Sequence, residues 1–131
     1  MNDEQVKSIL STYNRLRRGL LQLSLSAEEQ EASEPDFVCL SFELMDEIES
    51  PLLILRELGA TKIVDETIHK EILSLRDKLV SLASNPTTSS LQSVRSSPAW
   101  ESARSDARKV LRDHNLKDLD EVDIQVLMGW L

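Results

Sequence analysis

Between Ile68 and Leu82, large apolar residues recur at alternating spacings of four and three residues. The members of this run are Ile68, Ile72, Leu75, Leu79 and Leu82. Because an α-helix has about 3.6 residues per turn, this spacing gathers the side chains on one helix face. The pattern is typical of the seam of a helix bundle. We therefore predict a helix over residues 62–84 that packs against other helices along this face.

Most of the remaining chain has a similar periodicity. Apolar faces predict further helices over 3–25, from Asp36 to Ser50, over 51–58, over 98–114 and from Asp118 onward. No stretch alternates apolar and polar residues well enough to compete as a strand. The three glycines and four prolines are also too few for a turn-rich β-sandwich. The predicted fold class is all-α, a bundle of about five to six helices.

Local sequence signals set the predicted helix boundaries. Pro51 is expected to end the second helix and to open the next, because proline disfavours helical geometry in the residue before it. Ser97 and Pro98 repeat this cap-plus-proline signal, and Asn115 is expected to end their helix in a left-handed conformation. Residues 26–36 are acidic and lack an apolar face, so they are predicted to form an acidic loop or a frayed turn.

The composition changes sharply after residue 85, where serines and threonines flank a few apolar residues between two prolines. This change predicts a linker over 86–97, between a helical bundle over 1–85 and a two-helix unit over 98–131. Such a short C-terminal unit buries too little surface to be stable alone. It is expected to pack on the bundle, on another copy or on a partner, which favours one composite domain.

The chain is acidic, with 23 Asp and Glu against 15 Lys and Arg and a net charge of −8. A chain of this charge repels nucleic acid and anionic membranes at long range. The charge is unevenly distributed, however. Nine acids and no base lie between Gly19 and Leu55, whereas five bases and two acids lie between Arg95 and Arg112.

Arg104, Arg108 and Arg112 are spaced four residues apart and line one face of the predicted helix 98–114. Two interpretations stay open for this face. It binds an acidic or phosphorylated partner, because arginine suits carboxylates and phosphates, or it packs near the chain's own acidic segment or is merely solvated.

A smaller basic cluster consists of Arg15, Arg17 and Arg18, toward the end of the first predicted helix. Positive charge near a helix C-terminus is stabilising because it complements the helix dipole. We expect this cluster to have that structural role.

The sequence offers little material for catalysis. His69, His114 and Cys39 are too far apart to match the spacings of zinc ligands. The glycines are scattered, so no glycine-rich phosphate loop is present. Carboxylates are plentiful, but they fall on predicted solvated faces. We predict that the chain is not an enzyme and holds no cofactor or metal; a paired-carboxylate active site is the third functional option.

The apolar residues near the C-terminus have two interpretations. The last predicted helix carries Leu119, Val122, Val126, Leu127 and Trp130 as its apolar residues, and Leu131 follows them. The helix end with Trp130 and Leu131 either docks on the bundle or anchors a partner, because tryptophan is enriched at interface hot spots. Trp100, the third residue of its helix, presents the same choice.

The sequence as a whole predicts a helical protein–protein interaction module, an adaptor or a small subunit of an intracellular complex. Its partner would be a protein or a second copy of the chain, with no membrane involved. The predicted partner-binding residues are Trp100, Arg104, Arg108, Arg112, Leu127 and Trp130. The alternative is a nucleic-acid-associated regulatory protein that uses the basic face of helix 98–114. One cysteine and a polar N-terminal region without a signal sequence predict a cytoplasmic or nuclear location.

Overall fold

Helices alone form the regular secondary structure of residues 3–33, 39–60 and 62–131, which the computed structural model describes. In chain order they are α1 (Asp3–Ser24), α2 (Ala27–Ser33), α3 (Leu40–Glu57), α4 (Glu66–Ser84), α5 (Leu91–Ser96), α6 (Pro98–His114) and α7 (Glu121–Leu127). The prediction of an all-α fold is confirmed. None of these helices is both long enough and apolar enough to cross a lipid bilayer.

The four long helices α1, α3, α4 and α6 form a closed ring around the core. Both α1 and α4 pack against α3 on one side and against α6 on the other. The short helices lie outside this ring, with α7 against α1, α5 against α6 and α3, and α2 against α5. The large fully buried apolar side chains include Ile9, Leu16, Leu20, Leu44, Ile48, Ile72, Leu79 and Trp100. Burying one leucine or isoleucine contributes about 1.5–3 kcal/mol, so this interior is the main source of stability.

The C-terminal residues pack on the bundle of the same chain, since α6 completes the ring. Residues 86–97, predicted as a linker, contain α5, whose Val94 is fully buried. The composition change therefore marks a packed connection between α4 and α6. The division of the chain into 1–85, 86–97 and 98–131 stays a prediction.

Several predicted helix ends agree with the structure. Ser97 caps α6, because its side chain accepts a hydrogen bond from the Ala99 backbone N–H at 3.2 Å. Asn115 ends α6 with a φ of 48°, the left-handed conformation predicted for it.

The start of α4 is four residues later than predicted, because Asp65 caps it by accepting from the Ile68 N–H at 3.0 Å.

The predicted break at Pro51 is wrong, because α3 continues through this residue to Glu57. A proline inside a helix costs about 3 kcal/mol, since it donates no hydrogen bond and crowds the preceding turn. The buried face of α3 extends across the proline and offsets this penalty. That face comprises Leu40, Leu44, Met45, Ile48, Leu52 and Leu55. The predicted helix start near Asp36 lies outside the described residues.

Gly19 allows α1 and α3 to approach each other closely. A Cβ atom at Gly19 would lie 2.4 Å from the carbonyl oxygen of Glu47. In a regular helix, residue 51 would donate its N–H to that same carbonyl, and Pro51 has no N–H to donate. Gly19 of α1 and Pro51 of α3, both unfavourable inside helices, therefore concern the same Glu47 carbonyl.

The prediction of a loop over 26–36 is wrong for the residues of α2. A capping box starts this helix. In it, the Glu29 N–H donates to Ser26 Oγ at 3.2 Å, and the Ser26 N–H donates to Glu29 Oε1 at 3.3 Å. Only Gln30 of α2 is buried. The helix has no apolar stripe, and periodicity could not have revealed it.

Candidate functional site

Trp100, a predicted partner anchor, belongs to the interior. Its side chain has no exposed surface. The indole Nε1–H donates a hydrogen bond to the Thr88 carbonyl at 2.7 Å, which attaches the start of α6 to the turn after α4. A side chain without exposed surface cannot contact a partner in this conformation. Trp100 is therefore a core residue and not the partner anchor that the sequence predicted.

Arg104 is also buried, with 2% of its surface exposed. Its Nε–H donates to Gln30 Oε1 at 3.1 Å, and one terminal nitrogen pairs with Glu101 at 3.1 Å. The other terminal nitrogen donates to the Val94 carbonyl. Gln30 in turn donates to the Leu23 carbonyl at 2.8 Å. The guanidinium thus joins α2, α5 and α6, and it is not part of an open basic face.

Arg108 binds to the end of α1. Its Nε–H donates to the Ser24 carbonyl at 2.9 Å, and its Nη1 pairs with Glu101 at 3.1 Å. The positive charge of Arg108 complements the dipole of α1, and its hydrogen bond satisfies one of the last backbone carbonyls of that helix. The hydrogen bond from Arg108 lowers the pKa of Glu101, with a smaller contribution from Arg104.

Arg112 alone of the three arginines is mainly solvated, and it pairs with the adjacent Asp113 at 3.1 Å. The three arginines of the predicted face therefore have different environments: Arg104 is interior, Arg108 caps α1 and Arg112 is solvated. Arg95 completes the contact with the acidic segment, because its Nε–H donates to Glu31 Oε2 at 2.9 Å. Of the two interpretations of the basic helix, the structure places Arg104 and Arg108 against the acidic segment of the same chain.

α1 ends at Ser24, close to its predicted end, and the cluster Arg15, Arg17 and Arg18 lies six or more residues before that end. The stabilising effect of the dipole falls off within the last turn, so the predicted explanation is wrong. Arg17 instead donates to the Leu116 carbonyl at 3.1 Å and pairs with Asp118 at 2.8 Å.

Tyr13 reinforces the attachment of the connection between α6 and α7. Its hydroxyl donates to the Lys117 carbonyl at 2.7 Å. Burial raises the pKa of Tyr13, the positive charge of Arg17 opposes this shift, and Asp118 adds to it. Tyr13 and Arg17 together attach the connection to α1.

Three of the four apolar residues of α7 are exposed. Only Ile124 of this helix is buried, whereas Val122 and Val126 are 55% and 57% exposed. Val122 and Val126 belong to the apolar residues of the last predicted helix, for which docking and partner binding both stayed open, and the structure leaves them exposed. The helix has an apolar residue on each side, and Ile124 occupies the side that meets α1.

Two further apolar residues are exposed near Val122 and Val126 in the sequence, Leu127 at 41% and Leu131 at 77%. We call these four residues the C-terminal apolar surface. Trp130 is half-buried and packs against the core. Acidic residues surround α7 in the sequence, and Asp120 and Asp123 form its capping box. Leu127 and Trp130 were predicted as partner-binding residues, and Leu131 was considered together with Trp130. Val122 and Val126 were not assigned to a surface, because the same pattern also describes a buried face.

The described residues contain no group of three or more His, Cys, Asp or Glu placed to hold a metal ion. His114 Nε2 lies 2.6 Å from Glu71 and connects α6 to α4. Cys39 is exposed, and a hydrogen bond with the Ser41 hydroxyl lowers its pKa.

Comparisons with family models, with curated proteins and with solved structures found no match to this chain.

Proposed function

We propose that this chain is a non-enzymatic protein-interaction module, an adaptor or small subunit of an intracellular complex, that binds its partner through the C-terminal apolar surface. The exposure of Val122, Val126, Leu127 and Leu131 supports this proposal. Single exposed apolar residues are ordinary, whereas a large contiguous apolar patch is typical of an interaction site. The four residues lie within ten residues of sequence, and we propose that they form such a patch.

The charges beside these apolar residues indicate the kind of partner surface that we expect. Asp118, Asp120, Glu121 and Asp123 place negative charge beside the apolar residues. A complementary surface would have an apolar groove for the valines and leucines and a rim of lysine or arginine. Of the residues predicted from sequence, Leu127 belongs to this surface, and the half-buried Trp130 lies next to Leu131 in the sequence.

The arginine face of α6 gives little support to nucleic acid as the partner. Arg104 is buried, and Arg108 and Arg112 each pair with a carboxylate. A nucleic acid would have to compete with these carboxylates for every arginine of the face. We therefore base the proposed function on the apolar surface.

The test is recovery of a partner with the tagged chain and two single-residue variants. Val126→Asp places a charge within the C-terminal apolar surface and should abolish recovery. Leu53→Asp is the matched control, because Leu53 is an exposed apolar residue of α3, 40% accessible, and it should leave recovery unchanged. Recovery should also survive high salt, since apolar contacts are not screened.

Circular dichroism and thermal unfolding must show that both variants fold. Equal recovery by wild type and Val126→Asp would contradict the proposal. Recovery that Arg108→Glu abolishes and that falls steeply with salt would indicate nucleic acid instead.

A further inference from the structure

The start of α7 carries the tetrapeptide Asp120, Glu121, Val122 and Asp123. Asp-Glu-Val-Asp resembles the sequences that caspases, cysteine proteases specific for aspartate, cleave after the second aspartate. Basic pockets of such a protease suit the two aspartate side chains, because arginine pairs well with carboxylates. No other two aspartates of the sequence are separated by two residues. The resemblance therefore singles out one peptide bond, Asp123–Ile124.

The tetrapeptide lies at the surface of the molecule. Asp120, Glu121 and Val122 are exposed, and Asp123 is partly exposed. Residues 116–120, which lead into the tetrapeptide, contain no helix or strand. A protease that binds these four side chains therefore takes none of them out of the core.

The helix that contains the tetrapeptide is weakly anchored. α7 has seven residues, and an isolated helix shorter than about 12–15 residues is marginal in water. Ile124 is its only buried residue, and Met128 and Trp130 beyond it are partly buried against the core. The segment can therefore open while the ring of long helices stays folded.

The two aspartates that a protease would bind also hold the start of α7. The Asp123 N–H donates to Asp120 Oδ1 at 2.8 Å, and the Asp120 N–H donates to Asp123 Oδ2 at 2.9 Å. Both side chains thus bind the backbone of their own tetrapeptide. This capping box has to open before either carboxylate can enter a pocket of a protease.

We propose that a caspase-type protease cleaves this chain at the Asp123–Ile124 bond after local opening of α7. The thiolate of the protease attacks the Asp123 carbonyl carbon, and the C–N bond to Ile124 breaks. The Ile124 nitrogen takes up a proton and leaves as an amine. Water then hydrolyses the thioester, which gives Asp123 a C-terminal carboxylate and restores the thiol of the protease.

Cleavage would release residues 124–131 as a peptide. This peptide contains Ile124, so the broken bond separates the start of α7 from its buried residue. It also contains Val126, Leu127 and Leu131, three of the four residues of the C-terminal apolar surface. If that surface binds a partner, cleavage would end the interaction. This consequence rests on the proposed function, whereas the cleavage itself does not.

The experiment treats the full chain, without a partner, with a purified caspase that prefers Asp-Glu-Val-Asp, and follows the intact mass. We expect one cut, with products 1–123 and 124–131. Asp123→Glu keeps a carboxylate for the capping box, because glutamate is common at this position. It should slow cleavage at least about 10-fold, since a pocket shaped for aspartate discriminates against an extra methylene. Asp77→Glu makes the same change at an exposed position of α4 and should alter the rate less than about 2-fold.

Two further variants test the local opening of α7. Trp130→Ala removes packing between the C-terminal residues and the core. It should speed cleavage about 3- to 10-fold, because the open form becomes more populated. Ile72→Val weakens the interior of the ring at a fully buried position of α4. It favours global unfolding by a similar factor and should leave the cleavage rate unchanged.

Three outcomes would overturn the proposal: a cut at another bond, equal rates for wild type and Asp123→Glu, or no cut of the folded chain by protease that cleaves the urea-unfolded chain. Equal acceleration by Ile72→Val and Trp130→Ala would show that cleavage follows global unfolding, which contradicts the local route. Val126→Asp should still be cleaved after Asp123. Cleavage and partner recovery can therefore fail independently, which separates this inference from the proposed function.

Discussion

Arg104 Nε donates a hydrogen bond to Gln30 Oε1 across 3.1 Å, and both side chains are buried. The contact joins the base-rich C-terminal part of the chain to its acidic segment. Gln30 continues the network to the Leu23 carbonyl in the last turn of α1. A buried hydrogen-bond network therefore holds Arg104 within the molecule, and the Arg95–Glu31 pair joins opposite charges between the same two parts of the chain.

Arg104→Met should destabilise the protein by about 2–4 kcal/mol. The substitution keeps the length of the side chain but leaves Gln30 Oε1 and the Val94 carbonyl without their buried donor. Denaturant unfolding measures the loss. Arg112→Met on the same helix removes the same group from a solvated position and should change stability by less than about 0.5 kcal/mol. Similar values for the two variants would contradict the buried network.

Gly19→Ala should destabilise the protein by about 2 kcal/mol or more, opposite in sign to the usual effect of alanine in a helix. The new methyl group would lie 2.4 Å from the Glu47 carbonyl oxygen, so the backbones of α1 and α3 must separate. Ser74→Ala, at an exposed position of α4, provides the ordinary reference and should be neutral or slightly stabilising. A more stable Gly19→Ala variant would show that the helices do not approach this closely.

Acid should weaken the junction between α6 and the end of α1. The bond from Arg108 lowers the pKa of Glu101. The Arg108–Glu101 pair therefore contributes its full stabilisation above the ordinary glutamate pKa of about 4.3. This stabilisation is lost as pH falls through the lowered pKa of Glu101. Glu101→Gln should reduce the fall in melting temperature between pH 5 and pH 3, by no more than about 4 °C for an exposed pair.

Glu57→Gln removes an equal charge from an exposed position outside the described ion pairs and controls for net charge. If the melting temperatures of Glu101→Gln and Glu57→Gln depend on pH in the same way, the pairing of Glu101 with Arg108 does not contribute to the acid sensitivity.

The two tryptophans should differ in their access to solvent. Trp100 has no exposed surface, whereas Trp130 is half-buried. Iodide should therefore quench the fluorescence of Trp100→Phe, which retains Trp130, severalfold more than that of Trp130→Phe. The reverse order would contradict the assignment of Trp100 to the core. If a partner binds the C-terminal apolar surface, its addition should protect the fluorescence of Trp130 selectively.

The features that the sequence predicted well depend on neighbouring residues. Ser97 caps α6, and Asn115 ends it, because both effects need only the adjacent backbone. Apolar periodicity likewise revealed α1 and α4, since their stripes are long enough to specify a buried face.

The features that sequence reasoning missed depend on distant residues. Pro51 breaks an isolated helix, but packing of α3 against α1 and α4 overrides that preference. Arg104 has the pattern of a surface arginine, and its acceptor Gln30 lies 74 residues away in a helix without an apolar stripe. Residue spacing alone could not reveal that α3 continues through Pro51 or that Arg104 binds Gln30.

For a related reason, the sequence could not decide which side of α7 is buried. Val122 and Val126 lie on one side of this short helix, and Ile124 lies on the other. Both sides are apolar, and only the contact with α1 decides which one is buried. The basic cluster of α1 was noticed in the sequence, and the predicted helix end at residue 25 already placed it before the last turn; the contacts of Arg17 with Leu116 and Asp118, about 100 residues away, could not be read from spacing.

The bond from Arg108 to the Ser24 carbonyl also has a consequence for synthesis in the cell, because it spans 84 residues of sequence. A ribosome releases the N-terminus first, at about 5–20 residues per second. For several seconds the last turn of α1 is out of the ribosome while its arginine cap has yet to be made. We expect this turn to acquire full protection from hydrogen exchange only after α6 has emerged, so a ribosome-stalled chain that lacks α6 should have an α1 frayed at Ser24.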